Sequence, residues 1–375
     1  MSSRSVAALD LGGSKVACVV ARPSADGTGF DVLGAGVASH QHADAAWPGD
    51  PAVLAEAIER ALEQAAAGAM PDLALVSLTH PGLLHTRVTV QIDLADEPIM
   101  VRSRDLKRIG AQAISQALPL DRDTLLLEPL GYSGNGFESV RDPRGLAATR
   151  LIGIFQLISM PLSVRRAVVQ ALELVGLEPD RIVYNLQAVA AVSDPMPART
   201  LLVDIGGCST DVAVCEHGCL SKTASVPWGG MMLVEQIARV CRITMDQALT
   251  ISLEGLGSPK AEVRRIVAAQ LGALKQALEE ILRDEPAPEL VVVTGRGALI
   301  DGVVEWIKTA TQVTAVVGRS PRTKHVGDLG RQLALTPAFG LLEMAYHNSS
   351  EPLTGPRRLV ESFIGRTRQV LVEYF

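Results

Sequence analysis

Aromatic residues are scarce in this chain: Phe, Trp and Tyr together make up 3% of its 375 residues. Packing of the cores therefore falls to Val, Leu, Ile and Ala. Cysteine is sparse too. Five in a chain of this length make no disulfide framework, and the odd count implies free thiols in a reducing compartment. No apolar run approaches the ~18 residues that a membrane-spanning helix needs. Neither sign of charge dominates, with Lys+Arg 35 against Asp+Glu 41 and a net −6, which speaks against a global field made for nucleic acid. The first residues run directly into a motif and leave no room for a signal peptide. What the chain has in quantity is apolar side chain: 47% hydrophobic against 20% charged, with a mean hydropathy of +0.23. That composition excludes overall disorder. It implies a soluble cytoplasmic body of two or three domains.

Short aliphatic runs at Val6–Leu11 and Val16–Ala21 flank Gly12-Gly13-Ser14 and predict two antiparallel strands joined by a tight turn. A helix is expected over Pro51–Ala67, a strand over Leu73–Leu78, and an alternating stretch over Val88–Ile92. A further helix spans Ser103–Ala117, with Ser103 as its N-cap and Asp105 in its first turn. Strands at Thr124–Leu130 and Leu151–Ile158 bracket a glycine-rich turn, Gly131–Gly136. The order then restarts. A helix at Leu162–Val175 and a short strand at Arg181–Tyr184 precede strands at Thr200–Ile205, Asp211–Val214 and Leu220–Val226. Helices follow at Met231–Val240, Met245–Leu253 and Ala261–Asp284. A buried strand, Glu289–Thr294, leads into a helix over Ala298–Thr309. His347–Pro356 reads as a linker and Arg357–Phe375 as a last helix. The sequence strand, Asp, glycine-rich turn, strand occurs twice, at Asp10 and at Asp204. This is the pattern of a duplicated α/β unit whose two turns face each other across a cleft.

The two turns carry the chemistry. Asp10-Leu11-Gly12-Gly13-Ser14-Lys15 places a carboxylate at a strand end, then exposed backbone N–H groups, then a cation. Asp204-Ile205-Gly206-Gly207-Cys208-Ser209-Thr210-Asp211 repeats the plan with hydroxyls in place of the lysine. Such turns bind phosphate, because clustered N–H groups form an anion nest and Gly permits close approach. Asp10 and Asp204 suit Mg²⁺, which keeps most of its waters and takes one or two carboxylates beside phosphate oxygens. Lys15 is a point charge for the outer phosphates. Gly295, Arg296 and Gly297, at a strand-to-helix junction, suit the nucleoside side. Gly12, Gly13, Ser14, Gly206, Gly207, Ser209 and Thr210 are the phosphate contacts, with Gly229 and Gly230 beside them. Each element alone is weak; three in this order, each ending an apolar strand, point to a nucleotide cleft. Cys215-Glu-His-Gly-Cys219 admits a metal-ligand reading, but a turn between two strands favours a plain hairpin. His40, His42, His80 and His85 fall in expected loops without ligand spacing.

These elements resemble the nucleotide-binding segments of the actin, sugar-kinase and chaperone superfamily. Within it, the chain is similar to the FtsA family over most of its length. The resemblance rests on Val140–Leu151, on Asp204–Asp211, on Pro227-Trp-Gly-Gly230 and on Thr336–Leu342. It implies a two-lobed α/β fold of duplicated ribonuclease-H-like domains carrying an inserted subdomain. Residues 1–78 would open the first lobe and 79–159 form the insert. Residues 160–346 would complete that lobe and build the second, whose outer part, about 231–284, looks shortened. A linker over 347–356 and an amphipathic membrane-targeting helix over 357–375 would end the chain. The resemblance further implies ATP and Mg²⁺ as cofactors, slow hydrolysis at most, and no catalytic residue. It implies self-association into filaments, docking of the FtsZ C-terminal peptide and other division proteins, and residence on the cytoplasmic face of the inner membrane at the division site. No nucleic-acid partner is expected.

The sequence also departs from the family's pattern. Cys208 stands where a third Gly is usual, and Arg296 replaces a Gly in the nucleoside loop. Asn185-Leu186-Gln187-Ala188 lacks the Glu/Gln-Pro pair common at that position. A sugar kinase of the same superfamily is the main competing reading, with Asp93, Asp96 and Asp123 as its possible bases. A pilus-type assembly adaptor is a third. In the last helix, Phe363, Ile364, Leu371, Tyr374 and Phe375 share one broad apolar face, and four Arg and two Glu forbid spanning a bilayer. An anionic membrane surface is the partner this face implies.

Overall fold

The computed structural model describes residues 5–25, 29–40, 49–65, 70–192, 196–283 and 285–346. The linker over 347–356 and the helix expected over 357–375, with Phe363, Ile364, Leu371, Tyr374 and Phe375, lie outside the described residues.

The first lobe begins with β1 (Val6–Leu11), β2 (Lys15–Pro23) and β3 (Phe30–Ser39), followed by α1 (Pro51–Ala65) and β4 (Leu73–Leu78). The chain then builds the insert from β5 (Leu84–Asp93), β6 (Ile99–Met100), α2 (Ser103–Ala117), β7 (Arg122–Gly134), β8 (Phe137–Val140), β9 (Ala147–Ala148) and β10 (Arg150–Pro161). It returns through α3 (Leu162–Leu174) and β11 (Glu178–Tyr184) to α4 (Asn185–Val192). The second lobe comprises β12 (Arg199–Ile205), β13 (Thr210–Glu216), β14 (Cys219–Val226), α5 (Gly230–Cys241), α6 (Met245–Glu254) and α7 (Ala261–Leu282). It closes with β15 (Leu290–Thr294), α8 (Val303–Thr311), β16 (Ala315–Val317) and α9 (Leu329–Tyr346).

The duplication is visible in the topology. One sheet has the order β11-β4-β1-β2-β3 and the other β14-β13-β12-β15-β16. In each, an antiparallel three-strand meander is extended by two parallel strands on the side of its first strand. β1 and β12 are the equivalent strands. Both are enclosed by sheet neighbours and helices, which is why both read as nearly continuous apolar runs. The insert is a separate four-stranded sheet, β5-β10-β7-β8, with α2 packed on a core of Val88, Val90, Ile109, Leu151 and Phe155. Between Gly230 and Leu282 no described residue is a strand, so the outer part of the second lobe is helical.

Several boundaries differ from the sequence expectation for identifiable reasons. The cap of α2 is Arg102, whose N–H donates to the Asp105 carboxylate at 2.9 Å; Ser103 is already helical. The strand expected to stop at Leu130 continues through Gly134, and the turn narrows to Asn135-Gly136, where Gly136 has φ +93°. The helix expected over Ala298–Thr309 is broken. A 3₁₀ turn covers Arg296–Leu299, then Gly302 at φ +79° resets the chain before α8. His85 lies in β5, not in a loop.

α4 and α9 cross closely because Gly340 has no side chain: a Cβ there would overlap the Ala188 carbonyl oxygen. That oxygen is helix backbone and cannot swing aside. Gly340→Ala is expected to destabilise the protein by about 1–3 kcal/mol, the usual penalty of overpacking a filled core. Urea denaturation measures it. A variant as stable as the parent would mean that the two helices separate freely.

Candidate nucleotide cleft

The strand ends of both lobes converge on one small cavity. It is lined by Asp10, the Gly12–Lys15 turn, Thr79, Asn185, Asp204, the Gly206–Ser209 turn, Gly295, Arg296, Leu333 and Pro337. Asp10 lies opposite Ser77 of β4 in the parallel register, and Asp204 lies opposite Thr294 of β15. The two carboxylates therefore occupy equivalent places in the duplicated sheets.

Their surroundings differ sharply. Asp10 Oδ1 accepts hydrogen bonds from Ser77 Oγ and Asn185 Nδ2, both at 2.9 Å, and Oδ2 is paired with Lys15 Nζ at 2.7 Å. Lys15 Nζ also donates to the Ala334 carbonyl at 3.0 Å, within the α9 segment where Pro337 interrupts the helix ladder. Asp211 is buried and receives hydroxyls from Thr79, Ser225 and Tyr184. Its pKa is raised by burial, which those hydroxyls oppose. Among the described residues Asp204 has no such donors. Burial, then the charges of Asp211 and Asp10, push it up to about 7 against the pull of Lys15. Thr294 Oγ1 and Asn185 Oδ1 are buried with no hydrogen-bond partner.

Among the described residues no three His, Cys, Asp or Glu converge as a metal cluster. The Asp10 and Asp204 carboxylates would suit only a cation that keeps most of its waters, and those waters would donate to the orphaned oxygens. The present conformation does not fit a nucleoside triphosphate. The cavity is about 40 Å³, while ligand pockets run to several hundred. The two turns touch: a Cβ at Gly13 would lie 2.7 Å from Cys208 Sγ, and one at Gly207 would overlap Ser14 Oγ. Cys208 Sγ donates to the Gly13 carbonyl at 3.2 Å. Binding ATP here requires the lobes to part.

Not every residue singled out from sequence lines the cavity. Thr210 donates its hydroxyl to the Trp228 carbonyl at 2.9 Å. Gly230 N–H donates to the Gly206 carbonyl at 2.9 Å, and Gly229 packs so tightly on Gly207 and Cys208 that no Cβ fits. Gly297 packs on Ile205. These residues shape the second turn and its neighbour. Gly12 and Gly206 use their N–H groups within their own turns, on the Lys15 and Ser209 carbonyls at 3.0 Å. Asp93, Asp96 and Asp123 do not line the cavity; Asp123 pairs with Arg165 at 2.9 Å. Sequence reading missed Ser77, Thr79, Asn185, Tyr184 and Asp211 as members of the site. For Ser77, Thr79, Tyr184 and Asn185 the available signal was their position at or just past the carboxyl ends of β4 and β11, where open α/β sheets bind ligands; Asp211 is instead the second residue of β13.

Because Asp204 is raised above a free carboxyl, the folded protein takes up its proton more readily than the unfolded chain. Stability therefore falls as pH rises from about 4 to about 7. Asp204→Asn should stabilise the protein at pH 8, have little effect at pH 4, and flatten this slope. Melting temperatures across the range test it. An unchanged slope would remove Asp204 as its source.

The chain matches two family models, "Cell division protein FtsA" over residues 201–333 and "SHS2 domain inserted in FTSA" over residues 83–159. It is 24% identical over 388 residues to the cell division protein FtsA of Pseudomonas aeruginosa, covering 94% of this chain and 92% of that one. The FtsA of Neisseria meningitidis serogroup B is 24% identical over 382 residues, with 91% and 90% covered. Among solved structures, a PilM-PilN type IV pilus biogenesis complex superposes with a TM-score of 0.65 at 16% identity, covering 92% of this chain and 99% of that one. Diol dehydratase-reactivating factor in nucleotide-free form gives 0.51 at 12% identity, with 92% and 100% covered. At such identities the likeness is one of fold. The insert and the second lobe each match a part of one division protein, and relatives of that protein align over nine tenths of the chain: the chain belongs to the FtsA family of cell-division proteins.

Proposed function

We propose that this chain binds ATP with Mg²⁺ between its lobes, polymerises, and tethers an FtsZ polymer to the cytoplasmic membrane. The observation that carries the nucleotide reading is the symmetric pair Asp10 and Asp204, on equivalent strands of a duplicated fold, facing one cavity with Lys15 and two glycine turns. Asp204 is the carboxylate whose charge a metal would compensate, and Asp10 is the one already balanced by Lys15. On opening, Lys15 would exchange Asp10 for phosphate, and the Gly12–Lys15 and Gly206–Ser209 turns would offer their remaining N–H groups. Arg296 is exposed at the cleft and is placed for the nucleoside. Mg²⁺ supplies charge neutralisation of the phosphates when bound. Hydrolysis should be slow, because no described carboxylate or glutamine lines the cavity beside the Asp pair as a water-activating base.

The assembly reading rests on family membership and on shape. The insert and the helical outer part of the second lobe present unlike surfaces, and contacts between unlike surfaces propagate linearly. Among the described residues no helix is long and apolar enough to cross a membrane. The membrane contact is assigned to the amphipathic pattern of Arg357–Phe375, strengthened by avidity in a polymer.

Calorimetry with ATP and Mg²⁺ should show binding that Asp204→Ala weakens by about 1–3 kcal/mol, the scale of a lost charge-assisted contact. No heat and no thermal shift at millimolar ATP would leave a nucleotide-free scaffold. Deleting Arg357–Phe375 should abolish sedimentation with anionic liposomes and leave the melting temperature of the body unchanged. A truncated protein that sediments as well as the full chain would overturn the anchor.

A further inference from the structure

The insert belongs to the first lobe by chain. Leu125, Leu126, Ile158 and Met160 join the same core as Leu9, Leu11 and Val76, and that core also takes in Leu202, Ala213, Cys215, Leu220 and Val292 of the second lobe. Arg122 at the base of the insert donates to the Gly82 carbonyl at 2.5 Å and the Ser159 carbonyl at 2.7 Å. The far side of the insert nevertheless grips the second lobe. His85 of β5 bonds Thr223 Oγ1 at 2.7 Å and Ser225 Oγ at 3.2 Å through its two ring nitrogens. Gln156 of β10 donates to the same Thr223 hydroxyl at 3.1 Å. Arg141, in the loop after β8, donates to the Glu216 carbonyl at 2.9 Å and the His217 carbonyl at 3.2 Å, at the tip of the β13–β14 hairpin. Every one of these contacts ends on that hairpin.

The same hairpin follows directly on the Gly206–Ser209 turn that lines the cleft. Ser225 bonds His85 on one side and Asp211 on the other, and Asp211 is held in turn by Thr79 and Tyr184 of the first lobe. A continuous chain of polar contacts thus runs from the phosphate turns, through Thr79 and Asp211, to Ser225, His85, Thr223 and Gln156 in the insert. Burial first, and then Arg122, lowers the His85 pKa to about 4, so the ring is neutral near pH 7 and offers one donor and one acceptor to its two hydroxyl partners.

We propose that the insert is a latch that holds the lobes closed, so that its release and the opening of the cleft are one event. Two states follow. In the closed state seen here, the turns touch and the insert holds the hairpin. In the open state, which a triphosphate requires on steric grounds, the second lobe swings from the first and the His85 and Arg141 contacts break. Coupling of this kind is reciprocal: a ligand that pulls the insert off the hairpin favours nucleotide entry, and nucleotide in the cleft frees the insert. The purpose assigned to the opening rests on the nucleotide reading above; the latch itself does not.

The test uses the full chain and two variants, Arg141→Ala and the double variant His85→Leu/Arg141→Ala. Arg144→Ala is the control, since Arg144 lies on the same loop and, among the described residues, pairs with its neighbour Asp142 alone. Amide hydrogen exchange is followed over Thr210–Val226 and Gly12–Lys15, and association of a fluorescent ATP analogue is timed by stopped flow. Exchange in both segments and the association rate should rise roughly tenfold in the double variant and less in Arg141→Ala, as expected for loss of several modest hydrogen bonds. Arg144→Ala should match the parent. Exchange and association at parental values in Arg141→Ala and in a folded double variant would overturn the latch. So would faster exchange confined to the hairpin, with Gly12–Lys15 unmoved. If no protein binds the analogue, the nucleotide reading fails, and exchange at Gly12–Lys15 alone decides the latch.

Discussion

Three buried carboxylates and one ammonium meet at the seam between the lobes, and the way each is compensated governs the rest of the cleft. Asp10 is satisfied by Lys15, Ser77 and Asn185, and Asp211 by three hydroxyls. Asp204 is left with burial and like charge, both of which disfavour its ionised form. A site built this way is not a static ion-pair network. It has one carboxylate whose ionised form is left without compensation.

The closeness that isolates Asp204 comes from glycine. At Gly13 and Gly207 any side chain would collide with the opposing turn, so the lobes meet backbone to side chain with almost no intervening space. Cys208 occupies what room remains. The small cavity is thus a property of the closed state and of these residue choices together, and parting the lobes by a modest rotation would change its volume far more than any rotamer change. The insert is continuous in chain with one lobe and hydrogen-bonded to the other, over an apolar core that both lobes share.

Much of the fold was legible in the order of residues. The strands ending in Asp10 and Asp204, the apolar run of β4, the helices α1, α3 and α7 and the repeated plan all follow from hydrophobic periodicity and glycine placement. The elements that escaped share a physical cause. β3 contains Gly34 and Gly36, poor strand residues, present because α1 crosses there: a Cβ at either would overlap a carbonyl oxygen of α1, at Ala65 and Ala61 respectively. α9 contains Pro337 and Gly340, which weaken any helical signal, yet α9 is buried against the first sheet and α4. Tertiary contact outweighed local preference in both.

The candidate site divides along the same line. Its acids, its lysine and its glycine turns are local motifs, fixed by short spacing and recognisable before any folding argument, because a phosphate or metal site needs those groups within a few residues of each other. Their partners are not local. Ser77, Thr79, Asn185, Tyr184 and Ser225 reach the acids from other strands and helices, across separations of up to 175 residues, and a lone serine at a strand end looks like any other. The sequence by itself determined which groups carry charge, where the turns lie and how the two halves repeat. Only the tertiary structure decided which carboxylate is balanced, which is left to titrate near neutrality, and that His85 reaches from the insert to the hairpin that follows the second turn. Desolvation and hydrogen bonding act through space, and no periodicity along the chain encodes the distance between two lobes.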